Sequence, residues 1–173
     1  MKSVLCTARD KLKSVTPLKK DCGRVCGAAC CRSPEGEETG MLLFPGEEEL
    51  YAGKNGWTIR ETAAGPMVIC PGECDRDERP LACRMFPLLP VYGEDGEIRA
   101  VTDLRAKAVC PLARQGRSSM DPAFIDAVRE AGCLLAGEKA QADFLKQLKE
   151  EQEELKRLRR ALGGGKCVQT GEG

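Results

Sequence analysis

Eight of the 11 cysteines in this 173-residue chain fall into one pattern: Cys22-x3-Cys26-x3-Cys30-Cys31, then Cys70-x3-Cys74, Cys83 and Cys110. The chain has no histidine. Thiolates are the strongest soft ligands a protein offers, and here no imidazole can share the work. The pattern therefore reads as an all-sulfur metal site, either zinc or an iron–sulfur cluster, with the rest of the chain as its scaffold. Aromatic residues make up only 4% of the chain, with one tryptophan, so large side chains for a core are scarce. A small domain of this kind is commonly held together by cross-links, and metal sites serve that purpose.

The redox compartment decides how clustered cysteines are read. Met1-Lys2-Ser3-Val4-Leu5-Cys6 runs into Arg9, Lys11, Lys13, Lys19 and Lys20 with no apolar stretch between, so no secretory signal is expected. No apolar run reaches the roughly 18 residues that a membrane-spanning helix needs. A cytoplasmic chain keeps its thiols reduced, and its cysteine clusters then point to metal. The charge balance of 27 Lys+Arg against 27 Asp+Glu leaves no global field to draw the chain to nucleic acid or membrane.

Residues 1–20 read as a basic segment, and 21–118 as the cysteine-cluster domain. Steps of four would place Cys22, Cys26 and Cys30 on one helical face, although Gly23 and Gly27 weaken that helix. Glu47, Glu48 and Glu49 open a short helix and read as a solvated start. Asn55-Gly56 signals a hairpin turn, with strands at Trp57–Arg60 and Met67–Cys70. A second hairpin is predicted from Leu88–Tyr92 and Glu97–Thr102 around Gly93–Gly96. Residues 119–162 read as two helices. Asp121 is the N-cap of the first and Pro122 its first residue, with Phe124, Val128, Ala131 and Leu135 on one face and Cys133 in the core. The second, about Glu138 to Leu162, carries Phe144, Leu148, Leu155 and Leu158 in a stripe that Glu151 interrupts. Residues 163–173 read as a disordered tail. The expected fold is α+β: a small, irregular, metal-stabilised domain with short hairpins and a C-terminal helical pair.

Eight cysteines fit two four-coordinate sites, or one four-iron cluster with thiols to spare. Two centres are expected, because free thiols beside a cluster invite oxidation. Adjacent Cys30 and Cys31 need not bind the same atom. The spacing excludes the C-x2-C knuckles of zinc ribbons, the x2 gaps of ferredoxins and the C-x3-C-x2-C radical-SAM signature. With Arg79-Pro80-Leu81-Ala82-Cys83-Arg84-Met85-Phe86-Pro87 following Cys70 and Cys74, residues 22–112 resemble the YkgJ-type cysteine-cluster family. Cys110 is similar to that family's last motif cysteine. The x3 gaps around Cys26 depart from the family's usual x2 gaps. The resemblance implies a zinc- or iron-chelating domain; the family includes the flagellin lysine N-methylase, a longer protein.

Pro71, Pro80, Pro87 and Pro111 stiffen the backbone around the cysteines. Arg79 and Arg84 are placed to offset thiolate charge, with Arg84 the expected tuner beside Cys83. Without histidine no Ser/His/Asp triad exists, and no phosphate-binding glycine motif occurs. Cys6, Cys133 and Cys167 read as bystanders. The expected metal ligands are Cys22, Cys26, Cys30, Cys31, Cys70, Cys74, Cys83 and Cys110. The expected cofactor is an iron–sulfur cluster of the 4Fe–4S type, with Zn2+ as the alternative, used for redox or protein-modification chemistry. A zinc-stabilised interaction module without catalysis and a metal carrier or sensor are the competing functions. The C-terminal helix is the expected surface for a protein partner or a second copy of the chain.

Overall fold

The structure is a computed structural model that describes residues 3–32, 40–72 and 74–163. The disordered tail expected over 163–173, and Cys167 within it, fall outside these residues apart from Gly163, which ends the last helix. Among the described residues, six α-helices and five short antiparallel strands form an α+β fold: α1 (Val4–Lys11), α2 (Cys22–Cys26), β1 (Met41–Leu42), β2 (Thr58–Thr62), β3 (Gly65–Ile69), α3 (Leu81–Met85), β4 (Leu88–Tyr92), β5 (Ile98–Thr102), α4 (Pro111–Gln115), α5 (Pro122–Ala136) and α6 (Lys139–Gly163). One sheet has the order β1-β3-β2, and a separate hairpin pairs β4 with β5.

The main core forms where α1, α5 and α6 pack around the β4–β5 hairpin. The basic N-terminal segment contributes to it. Ser3 caps α1 by accepting from the Cys6 N–H, and Leu5, Ala8 and Leu12 are buried at helical spacing. In α5 the Asp121 side chain accepts from the Ala123 N–H, Pro122 sits in the first turn, and Phe124, Val128, Ala131 and Leu135 are buried as expected. Cys133 is exposed, contrary to its expected place in the core. The neighbouring Gly132 takes the buried position, because Pro90 and Ile98 of the hairpin lie against it; a Cβ there would come 2.7 Å from Ile98 Cγ2 and closer still to Pro90 Cβ.

The β4–β5 hairpin pairs Leu88 with Thr102 and Tyr92 with Ile98 around the predicted Gly93–Gly96 turn. Asn55-Gly56, by contrast, turns the chain into β2, and the β2–β3 hairpin reverses at Ala63-Ala64. A tight turn ahead of a single strand satisfies the same local signal. Under this sheet lies a second small core of Leu43, Tyr51, Trp57 and Val68, with the Tyr51 and Trp57 rings 4.7 Å apart.

The stripe of α6 is buried only in its first half. Phe144, Leu145 and Leu148 enter the main core, Leu155 is half-buried, and Leu158 is exposed. Further along, Gln152 takes over. Its amide accepts from the Leu104 N–H (2.9 Å) and donates to buried Asp103 (3.0 Å), while the interrupting Glu151 pairs with Arg105 (3.3 Å).

Gly132→Ala is expected to destabilise the fold by about 1–3 kcal/mol through overpacking against Pro90 and Ile98. Cys133→Ala, on the exposed side of the same turn, is expected to stay within about 0.5 kcal/mol. Urea denaturation of both variants checks the contrast; equal effects would refute the packing argument.

Candidate metal centre

All eight motif cysteines line two adjoining cavities of about 120 and 210 Å3. Cys31, Cys70 and Cys74 face the smaller, Cys22, Cys26 and Cys110 face the larger, and Cys30 and Cys83 border both. Five chain segments deliver them. Asp21 accepts from the Gly23 N–H and starts α2, which places Cys22 and Cys26 one turn apart. The single helical face expected for Cys22, Cys26 and Cys30 ends there, because Gly27 and Ala28 both adopt left-handed backbone (φ 63° and 53°) and reverse the chain. A 3-10 turn, Ala29–Cys31, then carries Cys30 and Cys31. Successive side chains on such a turn diverge by roughly 120°, and the two sulfurs stand 4.0 Å apart.

Cys70 follows β3, and Cys74 lies in the loop beyond; both pack against the small Tyr51–Trp57 core. Cys83 sits on α3. Cys110 is the buried N-cap of α4, held by a 2.7 Å bond from its N–H to the Ala106 carbonyl and packed on Ala106 and Ala113. Cys30 alone of the eight is exposed. Cys6, half-buried on α1, lines neither cavity. Among the described residues, no three Cys, Asp or Glu side chains converge closely enough to hold a single ion as they stand.

Cys22, Cys30, Cys74 and Cys83 resist ionisation in the company of the other thiols. Burial and then the charges of Cys26, Asp21 and Cys110 push Cys22 up. The hydrogen bond with Cys31, burial, and the nearby Cys22 and Cys26 push Cys30 up. Burial, then Cys31, Cys74 and Cys70, do the same to Cys83. Such a cluster becomes fully anionic only with positive charge in its midst, which a metal supplies.

Of the cations at the cavities, Arg76 and Arg84 line the larger, while Arg79 borders both. Burial works against its charge, yet Cys74, to which it hydrogen-bonds, keeps its pKa above the ordinary value. Its Nε is buried and finds no hydrogen-bond partner among the described residues. Arg84, the tuner expected from sequence, lines the larger cavity with its guanidinium bonded to backbone. It donates to the carbonyls of Asp77 (2.7 Å), Arg79 (3.1 Å) and Arg9 (3.4 Å) and so fixes backbone.

Sequence reasoning also missed the carboxylate that sets this backbone. Glu47 is fully buried, where a solvated helix start was expected. Its Oε1 accepts from Arg9 Nη1 (2.8 Å) and from the Leu81 N–H (2.6 Å), and its Oε2 accepts from the Phe44 N–H (3.3 Å). Arg9 also donates to Tyr51 Oη (3.2 Å), which itself donates to the Glu78 carbonyl (2.8 Å). One carboxylate thus joins α1, the turn after β1 and the start of the helix that bears Cys83. Nothing in Glu47-Glu48-Glu49 distinguishes the first residue from its neighbours before the fold is known. No family model, no curated protein and no solved structure matches the chain.

Glu47→Ala is expected to cost about 3–5 kcal/mol, because it leaves the Arg9 charge half-buried and unpaired. Glu47→Gln, which keeps an acceptor for Leu81, is expected to cost less, and denaturation of both variants in the metal-loaded protein measures the difference. Arg79→Ala is expected to slow alkylation of Cys74 in metal-free protein, Arg79→Lys to restore part of the rate, and Arg84→Ala to leave it unchanged. Mass spectrometry of the labelled thiols reads this, and an unaltered Cys74 rate in Arg79→Ala would remove Arg79 from the charge balance.

Proposed function

We propose that this protein binds a cysteine-ligated metal centre, an iron–sulfur cluster of the 4Fe–4S type, and uses it for redox or protein-modification chemistry in the cytoplasm. One observation carries the reading. Cysteines from five segments, far apart in sequence, line two adjoining cavities. A core has no need to gather eight small thiols in one place, whereas four thiolates are what a 4Fe–4S cluster takes from a protein. The cavities have room for several non-hydrogen atoms, which suits a polynuclear group. The resemblance of residues 22–112 to the YkgJ-type family points the same way.

A bound cluster supplies a one-electron couple. The chain's own residues supply the rest. The α2, α3 and α4 helices, the Ala29–Cys31 turn and the loop after β3 hold the sulfurs, Arg79 offsets their charge, and Cys30 is the most exposed of the eight cysteines. Zn2+ is the alternative occupant, since four thiolates also meet its tetrahedral preference. With zinc, the protein becomes an interaction module, or a carrier or sensor if the metal exchanges. No described helix is long and apolar enough to cross a membrane. The exposed Leu158 and Leu162 at the far end of α6 are the surface offered to a protein partner or a second copy.

Protein purified anaerobically is expected to be brown and to contain iron and acid-labile sulfide. Colourless protein with stoichiometric zinc would reject the cluster and favour the module. Cys26→Ser, Cys74→Ser and Cys83→Ser are each expected to lower metal content and stability together, because binding and folding are linked. Cys6→Ser is expected to change neither; metal analysis that showed the reverse order would displace the ligand assignment.

A further inference from the structure

We infer that the eight cysteines serve two adjoining four-thiolate centres, with Cys22, Cys26 and Cys110 in one, Cys31, Cys70 and Cys74 in the other, and Cys30 and Cys83 on the border between them, one completing each set. The inference rests on the reading of the cluster as a metal site and adds the membership of each centre.

Two observations agree on the division. The cavities separate six of the eight sulfurs outright: Cys22, Cys26 and Cys110 face only the larger, and Cys31, Cys70 and Cys74 only the smaller. Cys30 and Cys83 border both, and one of them on each side brings the count to four sulfurs, the number that either a 4Fe–4S cluster or a tetrahedral zinc takes.

The scaffold divides along the same line. Cys70 and Cys74 pack on the Leu43–Tyr51–Trp57–Val68 core, and Cys110 packs on the separate Ala106–Ala113 contact. The Ala29–Cys31 turn is where the two sets come closest in sequence: it carries Cys31 in the smaller set beside Cys30 on the border, with their sulfurs 4.0 Å apart. Arg79 borders both cavities and is the cation common to the two centres.

The test uses the intact metal-loaded chain. Native mass spectrometry under anaerobic conditions counts the metal increments. Stepwise chelation followed by iodoacetamide labelling then identifies which thiols each increment protected. Two increments are expected, with a half-loaded species whose four labelled thiols include all three of one set and none of the other. A second pair of variants checks this independently. Cys22→Ser with Cys110→Ser, and Cys70→Ser with Cys74→Ser, are each expected to lose half the metal and keep the other set protected. Labelled thiols that mix the two sets, or a single increment protecting all eight, would overturn the division. Two zinc ions with this labelling pattern would support it while rejecting the iron–sulfur reading. One iron–sulfide increment held by a mixed set would do the opposite.

Discussion

The Glu47 carboxylate is the point on which the remaining arrangement turns. It lies fully buried and gathers a guanidinium and two backbone N–H groups from three separate parts of the chain. Burial raises its pKa, while the Leu81 N–H, Arg9 and the Phe44 N–H oppose that rise. A charge in this setting is costly to desolvate, and a hydrophobic replacement of equal volume is often no less stable. Its value here is positional. The Leu81 N–H lies in the first turn of α3, so Glu47 fixes where the helix begins and hence where Cys83 points. Tyr51, Arg9 and Arg84 add bonds to the carbonyls of Asp77, Glu78 and Arg79, so the middle of the path from Cys74 to Cys83 is tied down as well.

Tying of this kind suits a chain short of large side chains. The small core under the first sheet holds only Leu43, Tyr51, Trp57 and Val68, and the contact behind Cys110 is built from alanines. Neither buries enough apolar surface to hold its loops firmly. Arg76 reinforces the point by donating to the carbonyls of Leu12, Lys13 and Val15, which fastens the chain after α1 to the segment before α3. Polar clasps place the cysteine loops, and metal binding would contribute the remaining stability, since ligand formation and folding are one equilibrium.

The parts of the fold written in local code were legible in the sequence. Asp121-Pro122 announces α5, and Gly93–Gly96 between two apolar runs announces the β4–β5 hairpin. The cysteine pattern named the residues that the fold gathers around the cavities. What escaped depends on tertiary neighbours. Glu47 looks like its exposed neighbour Glu49 until Arg9 and Leu81 arrive from elsewhere. Gly132 and Cys133 exchange their expected roles because Pro90 presses on that turn of α5. Cys22, Cys26 and Cys30 keep helical spacing, yet the left-handed pair Gly27-Ala28 ends the helix between them. Arg84 adjoins Cys83 in sequence while Arg79 lies four residues before it, yet the directions of the side chains give charge compensation to Arg79 and backbone fastening to Arg84.

The two cavities also differ in when their linings are complete. The smaller, bordered by Cys30, Cys31, Cys70, Cys74 and Cys83, has all its sulfurs once the chain has been synthesised through α3. The larger lacks Cys110 until the β4–β5 hairpin and the turn beyond it exist. The larger therefore closes the longer loop, at the larger entropic cost. A ribosome-bound chain would present the first full set of thiols while the second still awaited its last member. A metal at the cavity nearer the Tyr51–Trp57 core would then be bound first and would hold the Ala29–Cys31 turn in place for the other.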